Sequence, residues 1–277
     1  MKWLERAWSG LLLGTMTLFV VNIGLMVAAV ATNSFARRWL GTWLPEGYTA
    51  NWYLAAWKEF QLGAVLWVTI EVVGAVVLLS ILIGVPAAYV LARREFAGKK
   101  LVVLLFLLPL IIPPMTYGIP LATVMYQAHL AGTLGGVILA NLIPAAPFVI
   151  LVMTPFIEQI DTNLESAARV FGAGTGRMFL YVLGPLLAPG ILAAGLLVLV
   201  RTIAMFELTF LTCGADSQTL VVALYYAVFA AGVRAPQSVD AMAIVYMAAT
   251  LLWLLIALRF VNPTQLVSRV KEHPRPA

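Results

Sequence analysis

The sequence predicts an all-α, polytopic membrane protein, and three observations carry that prediction. Six apolar runs are each long enough to cross a bilayer. Charge is scarce: 62% of the 277 residues are hydrophobic and 10% are charged, where a soluble domain holds about 45–50% and about 25%. Proline recurs inside the apolar runs, where lipid permits a broken helix only if protein or a water-filled cavity covers the freed backbone. So few charges cannot make a water-facing surface, so the solvent is lipid.

Crossing about 30 Å of hydrocarbon takes roughly 20 apolar residues. The runs that qualify are Trp8–Thr32, Leu62–Ala92, Leu101–Tyr126, Leu134–Phe156, Leu186–Leu211 and Ala241–Phe260, within one membrane domain over residues 1–277. The first follows "MKWLER" but exceeds the roughly 7–15-residue core of a signal peptide, and reads as a retained anchor. Lys and Arg set the orientation. Lys2, Arg6, Arg93, Arg94, Lys99, Lys100, Arg169, Arg177, Arg259, Arg269, Lys271 and Arg275 fall on one side, against Arg37, Arg38, Lys58 and Arg234 on the other. Both termini are therefore expected in the cytoplasm, with the loops Asn33–Gln61 and Thr212–Asp240 outside. The net charge of +5 belongs to this asymmetry, and no nucleic-acid partner is expected.

The first outer loop carries Trp39, Trp43, Trp52, Tyr53 and Trp57, rings suited to the lipid headgroup zone and to an interfacial helix more than to a ligand cage. Inside the spans stand Pro86, Pro109, Pro113, Pro114, Pro120, Pro144 and Pro147. Each lacks an amide donor and disturbs its helix. The third and fourth spans are thus expected to bend and face inward, as a solute path requires.

The segment between the fourth and fifth spans, residues 157–185, is glycine-punctuated and half-polar. In "IEQIDTNLESAARVFGAGTGRMFLYVLGP", Thr162 and Glu165 have the spacing of a capping box. Leu164, Ala167, Ala168 and Phe171 fall at i, i+3, i+4 and i+7, one apolar stripe. Glu165 and Arg169 are spaced for an i,i+4 pair. Gly172 stands where a helix stops, and a second helix is expected from about Thr175 into the fifth span. Such a stripe serves either as a knob for another protein's groove or as a rest on lipid. A phosphate loop is excluded, because "GAGTGRMF" lacks the lysine-hydroxyl pair and the spacing of a Walker motif.

"SAARVFGAGTGRMFLYVLGPLLAPG" resembles the EAA motif of ATP-binding-cassette (ABC) importer permeases. Alignment on Gly172 places Ala167, Ala168, Val182 and Pro185 on motif positions, while Ser166 stands in the motif glutamate's place and Glu165 one residue early. The stretches "LPEGYTANWY", "GVPAAYVLARREFAGKK" and "MFELTF" are similar to the polyamine/opine/phosphonate branch. The resemblance implies a type I importer fold in the bacterial inner membrane, with a coupling helix formed by Glu165, Ser166, Ala167, Ala168, Arg169, Phe171, Gly172 and Ala173. It implies no catalytic residue or cofactor in this chain, since ATP and Mg belong to a partner ATPase dimer. It further implies a second permease subunit, an extracytoplasmic solute-binding protein, and a small polar cargo such as a polyamine. Permeases for sugars share the same frame.

Glu71, Arg201 and Glu207 are the strongly charged residues inside the spans, with Arg259 at the very end of the last. Each is costly there, roughly 2.5–3.5 kcal/mol on insertion scales, and is expected to face inward. Glu71 lies about nine residues, roughly 14 Å, below the outer face. Arg201 sits at a matching depth, which predicts a Glu71–Arg201 pair. Glu207, beside Phe206, presents a carboxylate next to an aromatic ring, a combination suited to an ammonium group. Tyr117 and Phe148 are further candidates for lining a path, as is Tyr226. Lone Cys213 and the distant His129 and His273 offer no metal site. The spans hold no histidine or aspartate for an intramembrane hydrolase, and six spans with an EAA-like loop argue against a lone secondary carrier.

Overall fold

A computed structural model describes residues 2–39, 41–229 and 234–260. Of the basic residues used for orientation, Arg269, Lys271 and Arg275 lie outside the described residues, as does His273. The helices in chain order are α1 (Lys2–Phe35), α2 (Asn51–Glu59), α3 (Leu62–Arg93), α4 (Lys99–Ile111), α5 (Pro114–Gln127), α6 (Leu134–Glu158), α7 (Thr162–Val170), α8 (Thr175–Met178), α9 (Gly184–Ile203), α10 (Glu207–Thr212), α11 (Leu220–Phe229) and α12 (Pro236–Phe260). The all-α expectation holds. Of the described residues, those within 2–63 and 224–248 make one compact unit, and those within 64–223 and 249–260 a second.

In the first unit, α1 is apolar all round and exposes Leu13, Leu18, Phe19 and Leu25, as a helix whose solvent is lipid does. The aromatic loop does form a short helix, α2. Trp52 donates through Nε1 to the Ala36 carbonyl at 2.9 Å, and Tyr53 Oη bonds Ser34 Oγ at 2.8 Å. These rings are pinned to the end of α1 and build no cage, while Trp43 is 99% exposed. Arg234 pairs with Glu59 at 3.2 Å and lies over the Phe60 ring.

The core of the second unit joins α3, α6 and the α8–α9 stretch. Val72, Val76, Val85 and Ala88 pack with Val149, Ile150, Met153 and Ile157, and with Leu187, Ala194 and Val198. Their three- and four-residue spacings place each set on one helix face. Gly84 permits the close approach of α3 to α6: a Cβ there would fall 2.7 Å from Val149 Cβ.

Two expected spans differ from the sequence reading. The third is not one helix, since α4 and α5 meet at 99°. A residue before proline is driven out of the α region; Ile112 and Pro113, each preceding a proline, take ψ of 132° and 134°. Pro113 cannot donate to the Pro109 carbonyl, and Tyr117 Oη reaches that oxygen instead, at 3.5 Å. The fourth span runs as helix through Pro144, Pro147 and Pro155. The fifth begins at Thr175 rather than Leu186 and ends at Ile203 rather than Leu211. It absorbs Pro185 with a π-helical turn, Phe179–Leu183, in which the Gly184 amide reaches back to the Phe179 carbonyl. One residue inserted per turn relieves a proline that would otherwise break the helix.

Candidate functional site in the loop between α6 and α9

The loop begins one residue before the predicted cap. Asp161 is the N-cap, its side chain accepting from the Asn163 amide at 2.9 Å, so Thr162 is already helical and forms no capping box with Glu165. Helix α7 ends as expected. Gly172 adopts φ +80°, the Ala173 amide bonds the Ala168 carbonyl at 3.0 Å, and the Gly172 amide bonds that of Arg169 at 2.9 Å. This left-handed closure favours glycine, because a Cβ there strains the backbone.

Helix α7 divides into two faces. Its inner face carries Glu165, 7% exposed, and Ala168, packed on the core. Phe171, at 90%, and Val170, at 85%, are among the most exposed side chains of the described residues. Leu164, Ser166, Ala167 and Arg169 are exposed as well, and Ala173 is half-buried. The predicted apolar stripe is thus presented outward except at Ala168. Val170, outside that stripe, belongs to the exposed surface. It could have been found by asking which side chains lie opposite Glu165 on a 3.6-residue turn.

Glu165 makes no pair with Arg169. Arg93 Nε meets its Oε1 at 2.7 Å, and Tyr89 Oη donates to its Oε2 at 2.6 Å. Arg93 also donates through Nη2 to the Ile160 carbonyl at 2.7 Å, and the Tyr89 ring sets its edge against Phe179, centroids 4.7 Å apart. A half-buried guanidinium on a different helix outcompetes an exposed i,i+4 partner, because a charge-assisted bond is strongest where water screens least. The sequence reading treated Arg93 only as an orientation charge and overlooked Tyr89. Their i,i+4 spacing at the end of α3 was the available signal.

The intramembrane residues gather only in part. The expected Glu71–Arg201 pair is not formed. Among the described residues, ion pairs join Arg93 to Glu165, Lys99 to Glu95 and Arg234 to Glu59. Arg201 instead stands over the Phe148 ring, 4.9 Å from its centroid. Equal depth does not fix azimuth, and an aromatic face satisfies a cation without a carboxylate. Arg201 and Phe148 line a small cavity with Asn141, Val198, Thr202 and Met205. The buried Asn141 donates to Val137 O and Thr209 Oγ1, while its Oδ1 has no partner. Tyr117 lies within electrostatic reach of both Arg201 and Glu207. Glu207 opens α10 after the break at residues 204–206, and Phe206 stacks on Phe210 at 5.1 Å. Glu71 is half-buried on α3, and Tyr226 packs edge-on against Tyr225 in α11. No cluster of three or more metal-ligating side chains occurs among the described residues.

A family model described as the binding-protein-dependent transport system inner membrane component matches residues 80–272, through α7 and the spans on either side of it. The chain belongs to this family. Among curated relatives, a diacetylchitobiose uptake system permease protein of Streptomyces coelicolor is 31% identical over 153 residues, covering 55% of this chain and 51% of the relative. A molybdate/tungstate transport system permease protein of Thermococcus kodakarensis is 35% identical over 130 residues, covering 47% and 52%. The chain spans about half the length of the curated relatives it matches. A bacterial ABC transporter involved in import of the acidic polysaccharide alginate shares the fold, with TM-score 0.76, 16% identity, and 93% and 98% of the two chains covered.

Proposed function

We propose that this permease is the membrane-spanning subunit of an ATP-driven importer, with α7 as the helix that seats in a cytoplasmic ATPase. The carrying observation is the outward face of α7. Ala167, Val170 and Phe171 stand exposed on a helix closed by a left-handed Gly172, in a chain of a binding-protein-dependent transport family. An aromatic side chain this exposed on a short, well-capped helix fits the anchor of a helix-in-groove contact. Ser166 and Arg169 flank the anchor and supply its polar contacts, and Ala173 its edge. Glu165 is turned inward, away from the partner.

The remaining subunits follow the same reading: an ATPase dimer that binds ATP and Mg, a second permease subunit beside this one in the bilayer, and an extracytoplasmic binding protein. The basic side carrying α7 faces the cytoplasm, as do both termini. Arg201, Phe148, Tyr117, Phe206 and Glu207 line or gate the path, with Glu71 on the neighbouring α3. A sugar or an oxyanion is the better cargo reading, because the relatives named above are permeases for a chitobiose derivative and for molybdate or tungstate. Arg201 supports that choice over a polyamine, since a guanidinium without a carboxylate partner repels a polycation.

Co-expression with its ATPase tests the docking. Phe171→Asp is expected to lower ATPase copurification by at least about 30-fold, the loss expected for an anchor worth about 2 kcal/mol or more, with the permease still folded because Phe171 packs on little within its own chain. An undiminished ATPase yield would overturn the assignment. Uptake of a labelled chitobiose derivative, molybdate and spermidine by the intact transporter separates the cargo classes.

A further inference from the structure

Resting on α7 as the ATPase-docking helix, we infer that Tyr89, Arg93 and Glu165 form a positioning joint that makes α3 move with α7. Two side chains one turn apart at the end of α3 hold the loop in several places. Arg93 binds the Glu165 carboxylate and the Ile160 carbonyl, so it grips both α7 and the turn before it. Tyr89 binds the second oxygen of the same carboxylate and lays its ring against Phe179, in the first turns of the fifth span.

The geometry suits transmission of force. Both Glu165 oxygens are occupied by donors on one helix, so the carboxylate cannot rotate without breaking a short charge-assisted bond. The pair is largely shielded from solvent, with the side chains of Arg93 and Glu165 11% and 9% exposed, so salt screens it little. The helix that receives the push has 32 residues, about 48 Å at 1.5 Å per residue. Glu71 and Trp67 lie towards its far end. Movement of α7 therefore displaces α3 along its length, and the joint decides whether it does.

The departure at position 166 gains a reason. With serine at the motif acid's position and the carboxylate one residue earlier, the acid is rotated by about 100° around α7. It turns from the docking face to the core face, where it serves the joint.

The test uses the permease–ATPase complex in lipid nanodiscs, in a Cys213→Ser background, with Mg-ATP as the probe. An environment-sensitive fluorophore is placed at Asn163→Cys on α7 or at Trp67→Cys on α3, both exposed positions. In the parent protein Mg-ATP shifts both signals. Glu165→Gln keeps the shift at 163 and reduces that at 67 about tenfold, in the range of ordinary coupling energies. Tyr89→Phe gives a smaller loss at 67, and the charge-reversed pair Arg93→Glu with Glu165→Arg restores part of it. Equal shifts at 67 in the parent and in both Glu165→Gln and Tyr89→Phe would overturn the joint. Absence of any shift at 163 in the parent would instead overturn the docking reading beneath it. Loss of bound ATPase in Glu165→Gln would make Glu165 a docking contact and also refute the joint.

Discussion

The chain interrupts its helices on either side of α9, and the two interruptions are built differently. At the start of the fifth span, the turn from α7 to the π-helical segment is closed by Gly172, and its buried carboxylate is held by Arg93 and Tyr89. At the other end, residues 204–206 break the helix beside an exposed arginine that stands over a phenyl ring, and near a buried asparagine whose oxygen has no partner among the described residues. A buried polar group that is fully paired fixes a conformation. One left unpaired costs free energy and persists where a ligand, a water or a moving part uses it. The first interruption is a mechanical joint, and the second has the character of a working surface.

Substitutions of graded effect can break this contrast. Glu165→Ala strands the half-buried Arg93 and is expected to destabilise the permease by about 3–5 kcal/mol, seen as the largest drop in thermal unfolding temperature in detergent. Asn141→Ala removes the bond to Thr209 and is expected to cost about 1–3 kcal/mol, less than Glu165→Ala in the same assay because one of its polar atoms is already unpaired. Gly172→Ala forces a Cβ into the left-handed region and is expected to cost about 1–2 kcal/mol, with unchanged helicity by circular dichroism. Arg201→Gln is expected to shift stability by no more than about 0.5 kcal/mol while reducing uptake of an anionic or hydroxyl-rich cargo. If Arg201→Gln proved as destabilising as Glu165→Ala, the second interruption would be structural and the contrast would fail.

Much of the fold was legible because lipid imposes a simple rule: backbone donors and acceptors must be satisfied within the segment, so a long apolar run is a helix. The helix α7, its end at Gly172 and the continuation from Thr175 were legible too, since local backbone chemistry sets them. The helical cap shifted by one residue, from Thr162 to Asp161, because either side chain can accept from the first turn. The fifth span starts before the apolar run Leu186–Leu211, because Pro185 does not end the helix. A π-helical turn, which no single residue announces, carried the helix through it.

Site pairings fared differently. Equal depth predicted Glu71 with Arg201, and sequence spacing predicted Glu165 with Arg169; neither pair forms. Arg201 found an aromatic ring, and Glu165 found a guanidinium 72 positions away.

By itself, then, the sequence determined which segments are apolar and long enough to cross a membrane, where α7 stops, and the family frame around it, since these rest on solvent and on neighbours in the chain. Only the tertiary structure decided which way Glu165 points and what Arg201 faces. Those outcomes depend on the rotation of one helix against another, set by close contacts such as Gly84 on Val149, and no local pattern along a single strand of residues encodes that angle.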